Sequence, residues 1–382
     1  MPESSRPIYL DNAATTPIDP RVRDVVLHYM EMEFGNAGSR THIYGQEAAR
    51  AVKRAREQIA AVVNARPEEV IFTSGATEAN NLAILGLAEY GARMGKRHII
   101  STQIEHKAVL EPLRHLSEQG FEIELVPTCE GGYIDADDLA NRLRDDTFLV
   151  SVMHVNNETG VIQPINAVAD AIRGHEAYFH VDAAQGYGKE LPSLRDSRID
   201  LISCSAHKLY SPKGIGCLIV RRERKASRCL TPLTYGGGQE KGLRPGTLPV
   251  SLIAGFGKAA SLSSEYQSSW RMHWNDTLAP FIELLSKFNA TIHGNTDNRL
   301  ENIISFSIPS LDSEALMINL KDIISISNGS ACTSSKIEHS HVISAMYGED
   351  SPHIATTCRI SVSHLTPKLP CETISIAMER LL

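Results

Sequence analysis

Lys208 closes the run Asp200-Leu-Ile-Ser-Cys-Ser-Ala-His207-Lys208, where an apolar stretch gives way to small and hydroxyl residues. A lysine placed at such a strand end can form a Schiff base with an aldehyde once its surroundings depress the ammonium pKa. Upstream, Tyr178-Phe-His-Val-Asp182-Ala-Ala-Gln185 delivers a carboxylate and then an amide from another short apolar strand. A carboxylate there can keep a pyridine nitrogen protonated, and only the cationic ring withdraws electrons well enough to stabilise a carbanion. In Val70-Ile-Phe-Thr-Ser-Gly75-Ala76-Thr77-Glu78 a strand breaks at glycine into a helix. The free amides at that N-terminus, with the helix dipole behind them, suit a phosphate. Gln103-Ile-Glu-His106-Lys107 adds an imidazole that could lie flat over another ring. Aldehyde, ring nitrogen, ring face and phosphate each find a partner, which is the contact set of pyridoxal 5'-phosphate.

Those residues need a scaffold that gathers strand ends. Short apolar runs recur at 70–73, 98–101, 122–126, 148–153, 178–182, 200–204 and 215–220, with helical patterns between them. Such alternation predicts a mainly parallel sheet of seven strands between layers of helices. The stretch Gln46 to Val63 illustrates the helical pattern, with Ala48, Val52, Ala55, Ile59 and Val62 on one stripe and Arg50, Lys53, Arg54 and Glu57 off it. In sheets of this kind ligands collect outside the carboxyl ends of the strands. All four candidate cofactor contacts lie at such ends. Beyond about residue 260 the texture becomes a polar helical stretch, Ser261 to Phe288, then strands near Asn302 to Ile308, Ile323 to Ile326 and Cys358 to Ser363. A smaller C-terminal α/β domain is expected there.

The chain of 382 residues carries 45 acidic and 38 basic side chains, a net charge of −7, which argues against a nucleic-acid surface. The basic cluster Arg221-Arg-Glu-Arg-Lys225 is read as a solvated strand exit. Seven scattered cysteines (129, 204, 217, 229, 332, 358 and 371) include no CxxC pair and fit reduced thiols, with Cys204 and Cys217 as buried small apolar residues. No stretch reaches the length of a membrane helix and the N-terminus has no apolar signal region, so a soluble cytoplasmic protein is expected. His339 and His341 lie near Cys332 but lack a further ligand at zinc spacing, and no metal is expected.

The blocks Tyr9-Leu-Asp-Asn-Ala-Ala-Thr-Thr16, Gly35-Asn-Ala-Gly-Ser-Arg-Thr-His42, Thr73-Ser-Gly-Ala-Thr-Glu78, Glu105-His106-Lys107, His154-Val-Asn-Asn157-Glu-Thr-Gly160, Ser205-Ala-His207-Lys208 and Ser330-Ala-Cys332-Thr-Ser334 occur in order along the chain. Together they resemble the cysteine desulfurases, class V aminotransferase relatives of fold type I, and specifically their subgroup with an extended cysteine loop. The resemblance implies that Lys208 carries the internal aldimine, Asp182 pairs with the ring nitrogen, Gln185 bonds the ring hydroxyl and His106 stacks on the ring. It implies that Ala76, Thr77, Ser205 and His207 hold the phosphate, with Thr247 of a dimer partner, and that Asn157 fixes the hydroxyl side or the substrate carboxylate. Arg359 would clamp that carboxylate, a task suited to a planar fork, and Asn36 would also face the substrate. Cys332 would be the nucleophile that takes sulfur from L-cysteine, leaving L-alanine and an enzyme persulfide, with His106 as proton acceptor. The large domain would span residues 17–260. Residues 1–16 and 261–382 would form the small one, with the cysteine loop at about 328–345. A homodimer and a sulfur-acceptor protein are the expected partners. The rival readings are an aminotransferase or selenocysteine lyase on the same scaffold, and a non-catalytic sulfur-relay partner.

Overall fold

The computed structural model describes residues 6–221, 226–329 and 339–381. After β1 (Ile8–Tyr9), α1 (Pro20–Glu31) and α2 (Ile43–Val62), strands and helices alternate. The order is β2 (Val70–Thr73), α3 (Ala76–Arg93), β3 (His98–Thr102), α4 (Lys107–Glu118), β4 (Glu122–Val126), α5 (Ala136–Asn141), β5 (Thr147–Met153), α6 (Ile165–Ala171), β6 (Tyr178–Asp182), β7 (Leu201–Ser205) and β8 (Gly216–Val220). The long α7 (Val250–Lys287) leads to β9 (Thr291–Ile292), β10 (Ile303–Ser307), α8 (Ser313–Leu320) and β11 (Ile324–Ser325). Then follow α9 (His341–Tyr347), α10 (His353–Thr356), β12 (Thr357–Ser361) and α11 (Cys371–Glu379).

Strands β2 to β8 form one seven-stranded sheet in the order β2-β8-β7-β6-β5-β3-β4. Only β8 runs against its neighbours, pairing antiparallel with both β2 and β7. The seven apolar runs all become strands of this sheet because both of its faces are covered. Successive residues therefore enter different cores: Ile71, Leu149 and Leu218 pack under α3 and α4, while Phe72, Val150 and Ile219 face α2 and α7. Helix α2 begins at Ile43, earlier than the apolar stripe predicts, because the His42 ring caps it by accepting the Gly45 amide (3.2 Å).

Two glycines let the carboxyl ends close up. A Cβ on Gly216 would stand 2.4 Å from the Cys204 carbonyl oxygen and 2.6 Å from Gly75 Cα, so only glycine lets β8 pass the turn that follows β2. A Cβ on Gly186 would stand 2.0 Å from His154 Nδ1, next to Gln185.

Helix α7 starts at Val250, so the expected boundary at 260 falls inside a continuous helix. The N-terminal segment pairs with the C-terminal part of the chain, β1 running parallel to β11, with a further bridge from Asp11 to Ser361. Strand β10 pairs antiparallel with β9 and β12, making a second small sheet. Among the described residues no helix is long and apolar enough to cross a membrane.

Candidate active site

Six strands of the sheet point the same way, and the loops leaving the ends of β2, β3, β5, β6 and β7 enclose a cavity of about 500 Å³. It is lined by Lys208, Asp182, Gln185, His106, Ala76, Thr77, Ser205, His207, Asn157 and Arg359. Ten residues singled out from distant stretches of sequence are thus brought to one place.

Asp182 ends β6 and is almost fully buried. Its Oδ1 accepts from the Ala184 amide (2.9 Å) and its Oδ2 from Asn80 Nδ2 (2.7 Å), so two donors already fix the plane of the carboxylate. Gln185 donates through Nε2 to the Ala13 carbonyl (2.8 Å), which leaves its buried Oε1 without a partner. A buried acceptor left unpaired is costly. A hydroxyl on a bound ring would satisfy it, and pyridoxal phosphate carries one. Helix α3 is capped by Gly75, which has no side chain to satisfy the first-turn amides, and Ser205 and His207 close the same end of the cavity. That end has the donor set of a phosphate site. Burial and the neighbouring Lys208 hold His207 down to a pKa of about 4, so it is neutral at pH 7 while its Nδ1 meets Thr15 Oγ1 (3.1 Å). The residues present fit the cofactor.

Lys208 Nζ donates to the carbonyls of Ala13 (2.5 Å) and Ala14 (2.7 Å). The N-terminal segment, placed by its pairing with β11, therefore supplies the acceptors for the key amine. His106 is the N-cap of α4, and its Nδ1 accepts the Ala108 amide (3.0 Å). Burial lowers the ring pKa, with Asp182 opposing and Lys208 assisting. In the neutral ring the hydrogen consequently sits on Nε2. This differs from the expected role of proton acceptor, which would require Nδ1 to release its cap. Arg359 is buried on β12, and its fork is engaged: Nη2 binds Asp11 Oδ1 (2.6 Å), and Nη1 binds the carbonyls of Asn157 (2.8 Å) and Gly329 (3.2 Å). A substrate carboxylate here would compete with Asp11.

Two expected residues stand apart. Thr247 and Asn36 are exposed and do not line the cavity. Asn36 Oδ1 instead accepts the Gly38 amide (2.8 Å) within its own loop. Cys332 lies outside the described residues, as do Arg222 to Lys225 of the basic cluster. His341, which lies near Cys332 in sequence, opens α9, is half-buried and binds the Glu105 carbonyl through Nε2 (2.9 Å). Among the described residues no cluster of three or more metal-ligating side chains occurs.

Sequence reasoning quoted Glu105 and Asp11 inside motifs without giving them a role, and passed over Asn80 and Lys189. Glu105 is fully buried, with Oε1 accepting from Thr102 Oγ1 (2.8 Å) and the Met153 amide (2.8 Å), which ties the end of β3 to that of β5. Burial pushes its pKa up to about 8, so it is neutral at pH 7 and adds no second negative charge beside Asp182. Lys189 is fully buried, and its Nζ has no hydrogen-bond partner among the described residues. Burial first, and nearby Lys208 second, bring its pKa down to about 7.

The unfolded chain, in which this lysine has a pKa near 10.4, binds more protons than the folded one between about pH 7 and 10. This residue's penalty is therefore full below pH 7 and fades as pH rises. Lys189→Met should be more stable than wild type at pH 7 by roughly a few kcal/mol, an advantage that shrinks towards pH 10. Urea unfolding at the two pH values measures it, and a difference independent of pH would contradict the assignment.

A family model described as Aminotransferase class-V matches residues 8–368. Cysteine desulfurase IscS of Vibrio cholerae is 43% identical over 382 aligned positions, covering 98% of this chain and 93% of that protein. Among solved structures, a NifS-like protein superposes with a TM-score of 0.87 at 34% identity, covering 98% of both chains. The structure described as SspA in complex with cysteine gives a TM-score of 0.78 at 35% identity, covering 95% of this chain and 99% of that one. The chain belongs to the aminotransferase class-V family and, within it, to the cysteine desulfurases. It is a pyridoxal-phosphate-dependent enzyme of fold type I.

Proposed function

We propose that this enzyme takes sulfur from L-cysteine, releases L-alanine and leaves the sulfur as a persulfide on Cys332 for an acceptor protein. The observation that carries the reading is the convergence of the Lys208 amine, the Asp182 carboxylate, the bare N-terminus of α3 and the Arg359 guanidinium on one cavity. The relative solved with cysteine bound supports the choice of substrate.

Bound pyridoxal phosphate supplies the electron sink for this chemistry. Lys208 would hold its aldehyde carbon, Asp182 its ring nitrogen and Gln185 Oε1 its hydroxyl, while Ala76, Thr77, Ser205 and His207 would take the phosphate. Lys208 Nζ would also serve as the base for the substrate Cα proton. Arg359, with Asn157 beside it, orients the substrate carboxylate. His106 would cover the ring face, its own proton on Nε2 because Nδ1 accepts the Ala108 amide. The Cys332 thiolate forms an S–S bond to the substrate sulfur as the Cβ–S bond breaks. The electron pair of that bond stays with the carbon, which takes up one proton, equivalent to the one the Cys332 thiol gave up, to become the methyl group of alanine, and Lys208 Nζ would return the proton to Cα.

The working unit is a homodimer in this reading. The segments carrying Asn36 and Thr247 are rich in exposed aromatic surface: Phe34 is 67% exposed and stacks on Tyr44 (5.5 Å), and Tyr235 is 83% exposed. A second copy seated there would bury those rings and bring Thr247 to the neighbouring phosphate. The same reading keeps residues 17–260 as the cofactor-holding part and 1–16 with 261–382 as the part carrying the sulfur-bearing segment. It places the enzyme in the reducing cytoplasm, in keeping with the six described cysteines, all free.

Incubating the cofactor-loaded protein with L-cysteine and a thiol reductant tests the reaction. Sulfide and alanine should appear in equal amounts. Amino transfer to a keto acid, with no sulfide, would favour an aminotransferase.

A further inference from the structure

Thr16 is buried and does not line the cavity, yet its hydroxyl brackets Lys208. Thr16 Oγ1 donates to the His207 carbonyl (2.9 Å) and accepts the Tyr210 amide (3.0 Å), so one oxygen spans both sides of the lysine. The Thr16 amide donates to the same His207 carbonyl (3.1 Å). That carbonyl belongs to the planar peptide joining His207 to Lys208, so holding it restricts the direction in which the lysine side chain leaves the backbone. Tyr210 has a φ of +60°, a left-handed conformation disfavoured for any residue with a Cβ. Such a backbone persists only where its surroundings over-determine it, and it is found most often at active sites. Here the Tyr210 amide is held by Thr16 and its carbonyl by the Asp19 amide (3.0 Å). Its buried ring stands edge-on to those of His364 (4.3 Å) and Trp270 (5.0 Å). The N-terminal segment is itself anchored at Ser361, whose hydroxyl accepts the Ala13 amide (2.8 Å) and whose carbonyl accepts from Asn12 Nδ2 (2.8 Å).

We propose that Thr16 is a positioning residue for Lys208, its hydroxyl fixing the two ends of the turn from which the amine projects. The proposal rests on Lys208 as the cofactor anchor. Residues 13–16 then hold the lysine twice over: the Ala13 and Ala14 carbonyls take Nζ, and Thr16 takes the backbone at its foot. Without the hydroxyl the buried Tyr210 amide loses its acceptor, which is costly in place. The strained turn then loses one of the bonds that define it. A displacement of the amine by about 1 Å can cost up to roughly 100-fold in rate. Because Thr16 reaches the site only through residues 207–210, its loss should spare the noncovalent contacts made by Asp182 and the N-terminus of α3.

The test mixes the full-length chain, freed of cofactor, with pyridoxal phosphate and follows the visible absorbance of the lysine-bound form. Capture joins Nζ to the aldehyde carbon as a C=N bond and releases water. Thr16→Val, of like shape but without the hydroxyl, should slow capture about 10-fold. It should lower kcat of the loaded enzyme by roughly 10- to 100-fold while the KM for cysteine stays within about twofold. Thr16→Ser keeps the hydroxyl and should recover both rates to within about threefold. Pyridoxamine phosphate has no aldehyde and needs no placed amine, so its Kd should differ by less than about twofold between wild type and Thr16→Val. Capture at the wild-type rate in Thr16→Val, Thr16→Ser as slow as Thr16→Val, or an equal loss of pyridoxamine phosphate affinity overturns the role. Thr16→Ala carries the same test should Thr16→Val not fold, and failure of both to fold overturns the role in favour of a purely structural bond. Borohydride reduction that fixes the wild-type cofactor to a lysine other than Lys208 overturns the anchor itself, and this role with it.

Discussion

Cys332→Ser should bind the cofactor and L-cysteine as wild type does, yet form no persulfide and release no sulfide. The reason lies in the division of labour around the cavity. In the proposed mechanism Lys208, Asp182, Arg359 and the amides of α3 hold cofactor and substrate and remove the Cα proton, and none of them can accept a sulfur atom. Serine matches cysteine in shape but offers an alcohol, which remains almost wholly protonated near neutral pH. A cysteine thiol is ionised to a few per cent there and is intrinsically far more nucleophilic. The early absorbance change on mixing with cysteine should persist, and turnover should fall to background. The measurement pairs rapid-mixing spectra with mass spectrometry of the protein for one added sulfur. Sulfide release at a rate near wild type would remove Cys332 from the mechanism.

Lys208→Ala should lose the visible absorbance of lysine-bound cofactor and fall in kcat by at least about 10³-fold, within the range of a lost general base. In the proposed mechanism two functions disappear together, the covalent anchor and the proton carrier. The Ala13 and Ala14 carbonyls, which Nζ bridges at 2.5 and 2.7 Å, are left without that donor. Cofactor should still be retained noncovalently through Asp182, Gln185 and the phosphate end, so dialysis would remove it more readily than from wild type. An absorption spectrum unchanged from wild type would be incompatible with Lys208 as the anchor.

Much of the cavity is legible in the sequence because each contact sits where a short apolar run stops. Lys208, Asp182, His106 and the Gly75 turn are local signals: a strand period of two ends, and a residue with chemistry follows. The seven strands are legible for the same reason. Helix α7 was less so: its first turns, Val250 to Ala260, are apolar on most sides, being buried between the sheet and neighbouring helices, and so carry no amphipathic boundary signal. Thr247 and Asn36 were expected from the resemblance alone, and within one chain they lie outside the cavity.

The sequence by itself determined which chemistry the protein can carry, since residue type and strand-end position are properties of short segments. Only the tertiary structure decided how those groups are held. Asn80 against Asp182, Ala13 and Ala14 against Lys208, Asp11 against Arg359 and Ser340 against Glu158 join residues more than a hundred positions apart. Those pairings follow from the strand order β2-β8-β7-β6-β5-β3-β4 and from β1 returning to lie beside β11. A local hydrophobic period reports that a strand exists and which side chains face a core, but not which strand lies next to it.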